Sequence, residues 1–175
     1  ATGISAGFGC VLFPEGTSHN DSSLLRFRTG PFRTVFAAAA IAKANDQPIP
    51  AVIPLGLHFR RRDHFRTDVW VEYDAPHFIQ EDEIPNELVQ AVAKGNWVEP
   101  AAENVFALRD ALRIKMGPLT PNTRDWDEYH ALHLLGHVEA RRASQPLLSW
   151  RKEVEAARVF RTLLQPKLPD EKIVE

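Results

Sequence analysis

The sequence predicts an α/β fold, a partial and mainly parallel sheet flanked by helices, with a C-terminal helical extension. Three observations carry this expectation. Residues 7–13 and 49–59 are continuous apolar runs of the kind found in buried parallel strands. Between them Phe32, Val35, Phe36 and Ala39 recur at i, i+3, i+4 and i+7, the stripe of a helix that lies on a sheet. Beyond residue 85 the chain reads mostly as helices.

Taken in order, the first run ends at Phe13-Pro14-Glu15-Gly16-Thr17-Ser18-His19-Asn20, a small polar loop. Pro14 cannot donate to a strand ladder and Gly16 opens backbone angles closed to other residues, so main-chain N–H groups can turn towards a ligand there. Ligands collect beyond the carboxyl ends of strands in open α/β sheets, which makes this loop the first candidate site. Thr29-Gly30-Pro31 is a helix start signal, Ala37 to Ala40 are strong helix formers, and Asn45-Asp46-Gln47-Pro48 is a stop. Pro54 falls inside the second run and predicts a local irregularity. In residues 67–73, Val69, Val71 and Tyr73 alternate with Asp68, Trp70 and Glu72, as in a strand at a sheet margin. Stretches 7–13, 50–58 and 67–73 are expected to be neighbours in one sheet. Residues 80–83 form an acidic patch. Helices are predicted at about 31–44, 86–94, 100–115, 125–142 and 149–164. The last two carry apolar stripes, Ala131, Leu134, Leu135 and Val138 on one and Trp150, Val154, Ala157, Phe160 and Leu164 on the other, and are expected to pack as a pair. Residues 165–175 read as a loose tail.

The 175 residues suit one ordinary domain, and 44% apolar with 25% charged composition is the balance of a globular protein. A net charge of −2 makes no general case for nucleic acid. The single Cys10 excludes an internal disulfide and suits a reducing compartment. No stretch approaches the roughly 18 consecutive apolar residues of a spanning helix. The only methionine is Met116 and the first apolar run comes almost at once, so the chain reads as cut from something longer.

Phe13-Pro14-Glu15-Gly16-Thr17, followed by Leu24-Leu25, Arg28-Thr29-Gly30 and Ile53-Pro54-Leu55-Gly56-Leu57, resembles the third and fourth sequence blocks of the glycerol-3-phosphate and lysophospholipid acyltransferases, in the same order and at similar intervals. The resemblance covers roughly residues 5–76. It implies that residues 1–115 are the C-terminal half of an acyltransferase-like α/β domain and 116–175 a helical extension and tail. It also implies transfer of an acyl group from coenzyme A or a carrier protein, as co-substrate rather than cofactor, to a glycerophosphate-type acceptor. No metal is implied. Gly16, Thr17, Ser18 and Arg28 would face the acceptor phosphate, Glu15 would position the loop, and Pro54 would shape the neighbouring strand end. Ser18 departs from the commoner Arg, which bears on acceptor choice. The family's general-base His and its Asp, separated by four intervening residues, belong upstream of the third block, and neither occurs upstream of it here. Location in the cytoplasm or at the cytoplasmic face of a membrane follows, with a peripheral membrane contact, a missing N-terminal half or an oligomer left open. The alternative is a non-catalytic or degenerate module that binds phosphate, anionic headgroups or a protein partner.

Two other patterns invite a reading. His58 and Asp63 have the spacing of the catalytic pair but follow the fourth block and flank Arg60-Arg61-Arg62, so they read as a solvated basic turn, with anionic lipid or phosphate as the other option. His130, His133 and His137 share one flank of a helix with Trp126 and Tyr129, where zinc ligands or plain interfacial histidines are the alternatives.

Overall fold

The computed structural model of the protein describes residues 1–164, so the tail at 165–175 lies outside the described residues. The elements in chain order are α1 (Thr2–Ser5), α2 (Gly30–Ala44), β1 (Leu55–Phe59), β2 (Val69–Tyr73), a single 3-10 turn (Glu81–Glu83), α3 (Asn86–Ala93), α4 (Ala102–Met116), α5 (Trp126–Arg142) and α6 (Trp150–Leu164). β1 and β2 pair as a two-stranded antiparallel hairpin.

The expected strand at 7–13 does not form. Those residues run as exposed coil, with Phe8, Val11 and Phe13 largely in solvent, and Gly7 adopts a left-handed φ of 89°. An apolar run takes up strand pairing only beside a partner, and among the described residues none is paired with it. The second run is shortened for the reason Pro54 announced. Val52 makes an isolated antiparallel bridge with His77, proline interrupts, and regular pairing begins at Leu55.

The chain forms two compact units, with the division passing through both strands. The first comprises Ala1–Asn20, Leu24–Gly56 and Tyr73–Leu119. Its core gathers Phe27, Phe32, Phe36, Ile79, Ile84, Leu88, Val105, Leu108 and Leu112. Helix α2 lies at the centre, packed by α1, α3 and α4, and its alanines at 38, 39, 40 and 42 have no solvent exposure at all. The helix ends where Asp46 turns left-handed (φ 51°) and the Gln47 N–H donates back to the Ala42 carbonyl at 2.9 Å. Gly56 packs against Leu119 so closely that an added Cβ would lie 2.2 Å from the Leu119 carbonyl oxygen.

Among the described residues, the second unit holds 21–23, 57–72 and 120–164. Helices α5 and α6 pack together in it. Asp125 caps α5 by accepting the Glu128 N–H at 2.7 Å, and Glu128 accepts the Arg124 N–H at 2.6 Å, so the two side chains satisfy helix-entry donors from both sides. The stripe expected to be buried on α5 faces outward instead. Leu134 and Val138 are more than half exposed, and the helix buries Leu132 and Gly136. The reason is close approach. A Cβ on Gly136 would lie 3.0 Å from the Ala156 Cβ, so the small residue selects the contacting side over the more apolar one. On α6 the expected residues Trp150, Val154 and Ala157 are buried, while Leu164 is exposed.

Gly56→Ala places a methyl group 2.2 Å from the Leu119 main-chain oxygen, well inside van der Waals contact, which the first unit can relieve only by moving backbone. The expected loss is about 3 kcal/mol, read as a lower midpoint in urea denaturation. An unchanged midpoint would show that Leu119 yields freely.

Candidate functional site

The polar loop is built around one carboxylate. Glu15 Oε2 accepts the Leu25 main-chain N–H at 2.7 Å and lies 2.8 Å from His19 Nε2. Phe13 closes a turn by accepting the Gly16 N–H at 3.2 Å, and Gly16 supports it with a left-handed φ of 68°. The Gly16 N–H is therefore engaged within the turn by the Phe13 carbonyl. Thr17 and Ser18 follow on the exposed side, and among the described residues their N–H groups donate to nothing in the chain.

Arg28 belongs to the same construction. Its N–H donates to the Pro14 carbonyl at 2.7 Å, and its Cγ lies 3.0 Å from the position a Gly16 Cβ would take. Glycine is thus required twice at residue 16, for its φ and for the arginine stem that crosses it. The structure brings Glu15, Gly16 and Arg28 together, with Thr17 and Ser18 at the rim. Pro54 is buried and accepts the Asp74 N–H through its carbonyl at 3.0 Å, and among the described residues no hydrogen bond joins it to the loop.

A second polar cluster lies in the second unit. Arg158 donates two hydrogen bonds to Glu72, at 2.8 and 2.5 Å, and the same carboxylate lies 3.1 Å from His58 Nε2, which carries the shared hydrogen. Burial pulls the His58 pKa below its ordinary value, and the charges of Arg158 and Arg161 act in the same direction against the pull of Glu72. Burial works to raise the Glu72 carboxyl, but Arg158 and His58 outweigh it and hold it below the usual range. His58 also stacks on Trp70 at 4.9 Å, and its carbonyl accepts the Trp150 indole N–H at 2.8 Å. Its partner is Glu72. Asp63, the residue at catalytic-pair spacing, lies 3.4 Å from Arg61 and 3.8 Å from His64.

The helix-flank histidines divide. His137 lies 3.2 Å from Glu153, while His133 stacks on Trp150 at 5.2 Å and leans on Tyr129 at 4.5 Å. Burial lowers the His133 pKa to about 4 and raises that of Tyr129 to about 12. His58, His133, Tyr129, Arg158 and Arg161 line a cavity of about 20 Å³, room for about one water. Among the described residues no three His, Cys, Asp or Glu side chains are grouped to hold a metal ion. Sequence reading missed the Glu72–Arg158 pair. The alternation of Trp70 and Glu72 with Val69 and Val71 signalled two faces without saying which one turned inward.

With this geometry in place, comparison relates part of the chain to enzymes that acylate glycerol 3-phosphate. The particular relative is glycerol-3-phosphate O-acyltransferase 2 of Saccharomyces cerevisiae, 41% identical over 69 residues, a stretch that takes in 39% of this chain and 9% of the relative's length. No family model and no solved structure matches. Among the described residues no helix is long and apolar enough to cross a membrane.

Two outcomes are expected. Glu15→Ala leaves the Leu25 N–H without its acceptor and should lower stability by about 1–3 kcal/mol, with faster hydrogen exchange at Leu25. Unchanged exchange there would show that the loop does not hang on this carboxylate. Stability should also fall as pH drops from 6.5 towards 4, because in that window the unfolded chain protonates the rings of His58 and His133 while the folded chain resists. Urea midpoints across the window should be flatter for His133→Phe, which keeps the stacking and removes the titration.

Proposed function

We propose that this chain is part of an acyltransferase that moves a fatty acyl group from a coenzyme A or carrier-protein thioester to glycerol 3-phosphate or a lysophospholipid. The observation that carries the reading is the seating of Arg28 across Gly16, beside the N–H groups of Thr17 and Ser18, which have no partner among the described residues. Main-chain donors next to a guanidinium suit a phosphate dianion, which accepts several charge-assisted hydrogen bonds. The similarity to the yeast enzyme points to the same acceptor class. Glu15 acts from beneath, holding the loop to Leu25 and His19.

The general base lies outside this chain on our reading, since His58 is already committed to Glu72 and Arg158. In the complete enzyme a His–Asp pair would remove the acceptor hydroxyl proton as that oxygen attacks the thioester carbonyl, and the thiolate would leave. The mainly parallel α/β sheet belongs to that larger domain. Its support here is the apolar surface each unit leaves open, at Phe8, Val11 and Phe13 in the first and at Leu57, Phe59, Val69 and Val71 in the second. A non-catalytic module that binds phosphate, anionic headgroups or a protein partner is the second reading, favoured by that same commitment of His58.

The two readings separate on kinetics. The isolated chain should release no coenzyme A from acyl-coenzyme A and glycerol 3-phosphate, whereas the protein encoded by the full reading frame should. In that protein Arg28→Ala should raise the acceptor KM about tenfold to a hundredfold, the equivalent of about 1.5–3 kcal/mol, and leave the thioester KM nearly unchanged. Arg28→Lys should recover part of the loss, keeping the charge without the two-pronged geometry. Equal damage to both constants would remove Arg28 from the phosphate site, and a full-length protein without activity would favour the module.

A further inference from the structure

The tip of the β1–β2 hairpin combines features that the site described above leaves unused. Phe65 is 90% exposed, the most exposed large apolar side chain among the described residues. Four arginines lie within five residues of it, at 60, 61, 62 and 66, with His64 adjacent. Their engagements differ. Arg60 is drawn inward to Asp68 and Glu153, and Arg62 lies over the Trp126 ring at 4.3 Å. Arg61 keeps a long 3.4 Å contact with Asp63 and stays more than half exposed. Arg66 makes no ion pair among the described residues, and its guanidinium lies 5.3 Å from the Phe65 ring centre.

The backbone fixes this display. Arg66 takes a left-handed φ of 59°, a strained choice for an arginine. Two bonds close the base of the tip: Arg60 N–H to the Asp68 carbonyl at 3.0 Å, and Arg61 N–H to the Thr67 hydroxyl at 3.0 Å. The loop is therefore a braced projection. From 60 to 68, four arginines against Asp63 and Asp68 leave a net charge of +2 with histidine neutral, on a chain whose total is −2.

We propose that this tip is a membrane-contact element, which places Phe65 among the acyl chains just below the headgroups of an anionic bilayer while Arg61 and Arg66 meet lipid phosphates. A single aromatic ring ringed by cations matches an interface that is apolar a few ångströms below a negatively charged layer. A folded protein partner would have to provide both a pocket for the ring and acidic groups around it, whereas an anionic bilayer presents the two together everywhere on its surface. Lipid binding does not require acyl transfer by this chain, so its failure would leave the acyltransfer reading intact.

The test is co-sedimentation of the purified chain with vesicles of phosphatidylcholine alone or with about a third phosphatidylserine, a composition that gives a negative surface potential. Binding to the anionic vesicles should exceed binding to the neutral ones and decline with added salt. Replacing Arg61 or Arg66 by alanine should weaken it about fivefold each, or about 1 kcal/mol per charge, and lysine at either position should retain it. Phe65→Ser should also weaken binding, and Phe65→Trp should show a blue-shifted emission on vesicle addition beyond that of the native tryptophans. All these positions are exposed, and unchanged circular dichroism is the check that each variant keeps the fold. Equal binding to both vesicle types would overturn the proposal. So would undiminished binding by Phe65→Ser, or a Phe65→Trp probe that stays in water while a soluble polyanion such as single-stranded DNA competes fully.

Discussion

The arrangement of the second unit follows from where Glu72 finds its counter-charge. A carboxylate on a two-stranded hairpin normally turns to water, yet here Arg158 holds it with a two-pronged pair and His58 shares the same oxygen. That choice orients the whole hairpin. Because alternate residues face opposite sides, turning Glu72 inward carries Trp70 and His58 with it and sends Val69, Val71, Leu57 and Phe59 out. Trp70 then lies beneath the guanidiniums of Arg151 and Arg158, and Trp150 donates to the His58 carbonyl. Removing either partner of the central pair strands a partly buried charge, a larger penalty than the pair's own net worth.

This inversion marks the boundary of what could be read from sequence. Helices α2 to α6 were legible because their length, caps and spacing are local properties, and their ends fall within a few residues of the expected ones. The inward face of α5 was not legible. Hydrophobicity favoured Leu134 and Val138, but packing favoured Leu132 and Gly136 with Tyr129 and His133, where small and flat groups fit α6. The run at 7–13 has the composition of a buried strand but no neighbour to make it one, and pairing is not a property of a single segment. In the candidate site, the turn geometry of Gly16 was legible from its residue type. The double use of Glu15 Oε2 by Leu25 and His19 was not, since no spacing rule connects a carboxylate to a main-chain N–H ten residues away.

The loop at Glu15 separates support from contact. Its inner side is satisfied by the chain's own groups, through Glu15 to Leu25 and Arg28 to Pro14. Its outer side keeps the main-chain N–H groups of Thr17 and Ser18, which among the described residues donate to nothing in the chain. Such a division holds donors in position before a ligand arrives, and so lowers the ordering that binding would otherwise demand. Positional precision therefore comes from residues that need not touch a ligand at all.

The alanine face of α2 has a different consequence. Four alanines, at 38, 39, 40 and 42, with no exposed surface leave this helix without a side that faces water along its middle turns, so its neighbours close on the backbone almost directly. Most helices accept sequence drift on their solvent side. Here that latitude is absent, so a larger side chain at any of these four positions has no water to turn into and can be accommodated only by displacing a neighbouring element.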